Sequence, residues 1–495
     1  LQANIADIST VPVAGAGLPV LYWNINGIPQ PPVTGVHVSG SLYEFLFGAA
    51  AVLGDVVSYY VVAQDNTGNV IAQPTIGASG YSVNPPAAAI APTTLNSYTI
   101  QPALLAGTYN IAASGAYDYP TITAAVNAYN NSCPGGAIVF RLMDNIYPAE
   151  TYPIVISNPG ASSVNTLAIV PKTGVAVPVS GNNNNALFVR SGADYITFDG
   201  LNTGGSSLSV TNTNALSTAS VFWIASSGSD AATNNSILNC TISGSGTNTA
   251  FGCITTGSSV SLGTSASAAN SNNTISGCTL YAAQHGIFIN GFTGTNDQNW
   301  VISNNSIGSL NIPEKIGVRG ITMQGVNNFT VSGNTVSGIA MNAAATAVGI
   351  YIFGNATNGN ITKNSISDIR QSNIGGGSCG IYLASGINTS FVNVTNNFIY
   401  DIYAIGSAVI ANNACGIVAG SGGGYSILYN SVSITAGSGA SNSITSAIRI
   451  SATVTFTGAL DIRNNIFSNT TALGTRYSIY NGSVAGIFAN INYND

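Results

Sequence analysis

Two aspartates have the type and spacing that could support chemistry. Asp368 and Asp401 sit at equivalent places in Ile366-Ser-Asp-Ile and Ile399-Tyr-Asp-Ile, 33 residues apart, with Arg370 beside the first. If 33 residues make one turn of a coil, stacking brings their Cα atoms to roughly 5 Å. Carboxylates that close could act as a glycosidase pair, share a proton, hold Ca²⁺, or pair with Arg370. The ion pair is the reading preferred here. Asp194 and Asp199 flank the run Tyr-Ile-Thr-Phe and read as turn residues.

Other candidates are sparser. Gln284-His285-Gly286 matches the His-Gly element of polygalacturonases, but the Asp-Asp and Arg-x-Lys elements that accompany it there are missing. His285 therefore reads as a packed or surface residue. Tyr351, Tyr382, Tyr400 and Tyr403 could stack on sugar faces, the first two aligned on one face; sheet decoration is the preferred alternative. Six cysteines in 495 residues are too few for a disulfide scaffold. Cys240 and Cys278 each follow a recurring asparagine by five residues, and Cys379 and Cys415 each precede Gly-Ile. Each pair should stack on neighbouring turns, where free thiols are preferred over bridges because the separation is long for a disulfide. With two histidines and no CxxC, zinc has almost no ligands to draw on.

The elements that position these residues repeat. Asn followed by a polar and then an aliphatic residue recurs at Asn235, Asn273, Asn305, Asn334, Asn364 and Asn430, with looser copies at Asn397 and Asn465. In chain order the steps are 38, 32, 29, 30, 33, 33 and 35 residues. A second mark, Gly-Ile, begins at Gly286, Gly320, Gly349, Gly380 and Gly416, with steps of 34, 29, 31 and 36. Two marks sharing one average period define a solenoid. The units lack a helical period and two-residue hairpin turns, so the fold expected is a right-handed parallel β-helix of roughly ten turns, 4.8 Å apart. The eight asparagines are expected to form one ladder inside a bend, with Asn in the left-handed conformation it tolerates.

Before the repeats, residues 1–90 read as an immunoglobulin- or fibronectin-like sandwich, with VVSYYVVA over 56–63 and turn signals at Asn26-Gly27 and 65–69. A Pro/Ala-rich spacer over 84–92 leads out of it. The boundaries expected are 1–90 for the sandwich, 91–97 for a linker, 98–155 for a cap region and 156–495 for the β-helix. The cap carries the one stretch with a helical period, 119–130, followed by a strand over 137–142. A solenoid needs such a cap because its end turn exposes apolar surface and unpaired backbone.

Composition narrows function. Charged residues make up 5% of the chain and hydrophobic ones 45%, which is neither disordered nor ordinary. All ten Lys and Arg lie at or after Arg141, so no basic stripe exists for phosphates and nucleic acid is excluded as a partner. No apolar run approaches the roughly 20 residues that span a bilayer, so no membrane insertion is expected. The chain begins at Leu1 with neither initiator Met nor signal peptide, which fits a processed or excised piece.

The stretches GLPVLYWNING (17–27), GDVVSYYVVAQDNTGNV (54–70), 98–111, YPTITAAVNAYNNSCPGGAIVFRLMD (119–144) and ADYITFDGLN (193–202) resemble large secreted surface proteins of Bacteroidetes-type bacteria, exported by type IX secretion. The resemblance covers about the first 200 residues. It implies a fragment of a longer extracellular structural or adhesive protein, without catalytic residues to transfer and without a cofactor beyond a conceivable Ca²⁺. Its partners would be copies of itself, other surface proteins, or polysaccharide. The alternatives are a carbohydrate-binding module and a polysaccharide lyase or glycoside hydrolase on a β-helix.

Overall fold

A computed structural model describes residues 1–115, 117–248, 250–406, 413–439 and 443–495. The chain divides into two compact units, Leu1–Ala103 with Asn131–Cys133, and Leu104–Asn130 with Pro134–Asp495.

The first unit is an antiparallel β-sandwich. Val20–Ile25 pairs with Val56–Gln64, which in turn pairs with Val70–Gln73 and Asn96–Thr99. A three-stranded sheet of Gln2–Asn4, Leu42–Glu44 and Val36–Ser39 completes it. Val11, Leu21, Tyr43 and Phe45 fill the space between. Two expectations are corrected. The stretch 84–92 is not a free spacer, because Ala87–Ile90 pairs with Ser79–Ser82. The sandwich also runs past residue 90, since Asn96–Thr99 completes the edge of its larger sheet and occupies part of the expected linker.

The second unit is a right-handed parallel β-solenoid of about 12 turns with almost no helix. Each turn lays down three short strands, here called faces A, B and C. Face A is a 13-stranded sheet; faces B and C run together in a 23-stranded one. Each short face A strand hides its middle residue, so Ile237, Ile275, Ile302, Val331, Ile361, Val394 and Ile427 stack at zero exposure. Face B contributes Leu280, Ile307, Val336 and Ile366 to the same core, and face C Ile287, Ile321, Ile350 and Ile381. Burying each such side chain is worth roughly 1.5–3 kcal/mol, repeated turn after turn.

The helix Ile122–Asn130 closes the start of the core with Ile122, Ala125, Val126 and Tyr129 buried. Its first backbone N–H groups, which have no intrahelical acceptor, are taken by a residue from a distant loop. Ile122 N and Thr123 N each donate to the Glu150 carboxylate at 2.7 Å.

The two sequence marks have separate causes. The Gly column sits where turns approach most closely on face C. A Cβ at Gly349 would lie 2.6 Å from the Gly380 carbonyl oxygen and 2.6 Å from Ile366 Cγ2; Gly286, Gly320 and Gly380 meet the same obstruction. The asparagine mark belongs to the corners. Before face A, Asn234, Asn272, Asn299, Asn328 and Asn358 are left-handed; before face B, Asn239, Asn304, Asn396 and Asn464 are, with glycine at 277 and 333. The left-handed residue is therefore the one preceding the recurring asparagine, not the asparagine itself. Asn and Gly carry that conformation at least cost.

Candidate functional site

Asp368 and Asp401 are stacked on consecutive turns, as the register Ile369↔Ile402 requires. Both adopt positive φ, 49° and 53°, at the corner between faces B and C. Their charges are already answered. Lys315 Nζ donates to Asp368 Oδ2 at 2.7 Å and Arg370 Nε to Asp368 Oδ1 at 2.8 Å, while the far end of Arg370 donates to Asp401 Oδ2. The sequence Lys315–Asp368–Arg370–Asp401 is an alternating chain of charge. This donor set does not fit a bound cation, because side-chain cations take the places between the carboxylates. Among the described residues, no three His, Cys, Asp or Glu side chains converge on a point.

His285 is 7% exposed on face C, packed against Phe251 and Phe288 with ring centroids 5.3 and 5.1 Å away. Burial, helped by Arg319 on the next turn, pushes its pKa down to about 3. A neutral imidazole held this way lies far from the range of a general acid or base near neutral pH.

Tyr351 and Tyr382 are in register on face C and meet edge to face, centroids 5.3 Å apart. Tyr351 also stacks on Phe353 at 4.7 Å and lies under the Arg319 guanidinium at 4.3 Å. Both tyrosines pack on the buried cluster of Val348, Cys379, Cys415 and Val418. The rings are engaged with the protein, leaving little face for a sugar.

The eight asparagines fall into two columns on different corners. Asn305, Asn334, Asn364, Asn397, Asn430 and Asn465 form one before face B. Each Nδ2 donates to the next Oδ1 at 2.9–3.0 Å and also to a backbone carbonyl. Asn494 extends it, accepting from Asn465 Nδ2 at 2.8 Å. Asn235 and Asn273 stand before face A, where Asn235 N donates to Asn273 Oδ1. In the following turns Trp300 and then Phe329, both fully buried, take that place.

Two buried charges escaped sequence reasoning. Asp297 has zero exposure; its Oδ1 accepts from Asn270 N and Phe292 N at 3.0 Å and its Oδ2 faces Trp300 Nε1 at 3.3 Å. Burial lifts its pKa to about 7. Arg190 is 1% exposed inside the core, over the rings of Phe198 and Phe222, with Nε and one terminal nitrogen unpartnered. Burial pulls its pKa down to about 9. The only signal for it was a lone Arg in a continuous apolar run, ALFVR.

No disulfide joins the six cysteines, all of which are among the described residues. Cys240 and Cys278 stack, as do Cys379 and Cys415.

Over the five turns from Thr274 to Thr395 the outward columns of face A hold hydroxyls, amides and Val301 and no charge, while the flanking turns add Asp199, Leu238, Leu428, Asp461 and Arg463 to them. One column of outward positions holds Thr274, Val301, Thr330, Asn360 and Asn393, and a second holds Ser276, Ser303, Ser332, Thr362 and Thr395. Neighbours bond along the columns: Ser276 to Ser303 at 3.0 Å, Thr395 to Thr362 at 3.0 Å, Asn393 to Asn360 at 3.1 Å. The left-handed corner adds a third column, where Asn328 donates to Asn299 at 2.6 Å and Asn299 to Asn272 at 2.7 Å.

No protein-family model matches the chain, and no curated protein matches it. Among solved structures it is similar to XylC in complex with xylose, with 9% identity over 75% of this chain and 86% of that one and a TM-score of 0.40. It is similar to the family GH136 lacto-N-biosidase of Eubacterium ramulus, with 11% identity over 75% and 67% and a TM-score of 0.39. The family 28 exopolygalacturonase of Yersinia enterocolitica aligns over 96% and 95% at 11% identity with a TM-score of 0.33. The strand register described above identifies the fold independently of these likenesses, and no helix of the described residues is long and apolar enough to cross a membrane.

Proposed function

We propose that this chain is a secreted surface protein of the Bacteroidetes type, whose β-helix adheres to polysaccharide and packs with copies of itself or other surface proteins without cutting what it holds. The observation that carries this reading is the charge chain Lys315–Asp368–Arg370–Asp401. It spends the best-placed carboxylates of the solenoid on internal ion pairs, while His285 is sealed as a neutral ring. What remains outside is a repetitive surface of hydroxyls and amides, suited to contact rather than to proton transfer. Scarce charge also leaves little like-charge repulsion between copies.

The test is incubation with a panel of insoluble and soluble polysaccharides, following both co-sedimentation and release of new reducing ends. Retention without release is expected, unchanged in Asp368→Asn and Asp401→Asn. Release of sugar products that disappears in those variants would replace this reading with a carbohydrate-active enzyme on the same scaffold. Negative-stain electron microscopy of native material addresses packing: filaments or sheets support it, and dispersed single particles refute it.

A further inference from the structure

Faces A and B both stack without a register shift, and face A adds outward side chains bonded from turn to turn. From Leu167–Pro171 through Leu460–Arg463 its strands stack without a register shift, whereas face C slips three times. Side chains that recur in register at the strand spacing form a lattice, with about 4.8 Å between turns and about 6.6 Å between alternate residues along a strand. Over five turns and three columns it covers about 19 Å by about 13 Å.

The chemistry of that lattice restricts what could lie on it. Its hydroxyls and amides bond to one another along the solenoid, so they are fixed in direction and their remaining lone pairs and protons point outward. Lys363 stands at its edge, and over the five turns from Thr274 to Thr395 the columns carry no charge, while Asp199, Asp461 and Arg463 lie in the same columns beyond them. A partner must therefore be uncharged, rich in hydroxyls and repetitive at a matching step. Each hydroxyl contact contributes only about 1 kcal/mol net, so affinity has to come from many contacts made at once. A free chain in solution would give up its conformational entropy to align, while a chain already packed in an array has lost it beforehand.

Resting on the proposed adhesive function, we infer that face A is the adhesive surface and that it docks on an uncharged polysaccharide packed in ordered, flat arrays. Thr330, third of the five in its column, and Thr362, fourth of the five in the next, are the contacts most sensitive to change.

The experiment measures adsorption of the full chain to microcrystalline cellulose and microcrystalline chitin, to the acid-swollen form of each, and to ice by thermal hysteresis. Expected are saturable binding to one of the crystalline forms, at least fivefold weaker binding to its swollen form, and no loss between 50 mM and 1 M NaCl. The double variant Thr330→Lys/Thr362→Lys should lose at least tenfold in affinity. The matched pair Thr335→Lys/Ser365→Lys on face B should not. Asn360→Lys, at an exposed position, takes the place of a face A double variant that does not fold. Polysaccharide binding that the face A variants leave intact overturns this inference and spares the adhesive reading. Binding to no polysaccharide, with or without adsorption to ice, overturns both.

Discussion

Cys278 and Asn305 occupy the same corner position on consecutive turns, and Cys278 N donates to Asn305 Oδ1 at 2.9 Å. The thiol does what the amides below it do. Its Sγ faces the Ile237 carbonyl at 3.4 Å and accepts from Cys240 N, as Asn305 Nδ2 bonds to the Ile275 carbonyl at 3.0 Å. The buried column thus begins as sulfur and continues as amide.

Substitution along the column should be asymmetric. Cys278→Asn extends the amide column and is expected to be neutral or mildly stabilising. Asn364→Ala leaves Asn334 N and one of the two Asn334 Nδ2 protons without their acceptor, costing about 2–6 kcal/mol at 1–3 kcal/mol per unsatisfied buried group. Urea midpoints for the two variants check this. Equal midpoints would refute a role for the column in stability.

The Gly column should not tolerate a methyl group. Gly349→Ala places a Cβ 2.6 Å from a carbonyl oxygen that is itself part of the next turn, so the strands must part. Overpacking of this kind costs about 1–3 kcal/mol. Thermal unfolding of this variant should show a clear fall in Tm.

Two buried groups should oppose each other in pH. Asp297 titrates near 7 when folded and near 3.8 when unfolded, so between those values the folded state holds an extra proton and stability falls as pH rises. His285 titrates near 3 when folded and 6.5 when unfolded, so in that window stability rises with pH. From about pH 4 to 6.5 the slopes cancel. Asp297→Asn should expose the histidine slope, losing stability on acidification, and His285→Gln should expose the aspartate slope, gaining it. Chemical denaturation at pH 4.5, 5.5 and 6.5 reads both; parallel curves in all three proteins would contradict the assignment.

Thiol labelling should separate one cysteine from five. Cys133 is exposed and the others are buried, with Cys253 and Cys278 pushed up to about 12, so little reactive thiolate forms. A disulfide reagent at pH 8 is expected to titrate one thiol in the native protein and six after unfolding without reductant. A total of two after unfolding would instead mean bridged Cys240–Cys278 and Cys379–Cys415 pairs.

The solenoid was legible because its marks are physical necessities. Gly-Ile recurs where backbone approaches backbone, and Asn-Ser-Ile where a left-handed residue leads into a buried amide. The same logic explains what was misread. Both corners need that chemistry, so Asn273-Thr-Ile and Asn305-Ser-Ile look like one series although they lie on different corners. The step of 32 between them is not a turn; the turn there runs from Cys278 to Asn305 in 27 residues. Stacking of Asp368 on Asp401 followed from spacing, but Lys315, 53 residues before Asp368, joins the pair through a loop that periodicity cannot locate. Asp297 gave no signal, since its burial depends on Trp300 filling a corner that holds an asparagine one turn earlier.

The amide column has a direction. From Asn305 to Asn465 each Nδ2 donates to the Oδ1 of the following turn and to a backbone carbonyl of the preceding one, and each Oδ1 from Asn334 to Asn494 accepts from the turn before, so the amide dipoles share one sense. Seven amides of about 3.5 D each give the buried column a head at Asn305 and a tail at Asn494, and an interruption at Asn364 would leave two shorter columns of the same sense.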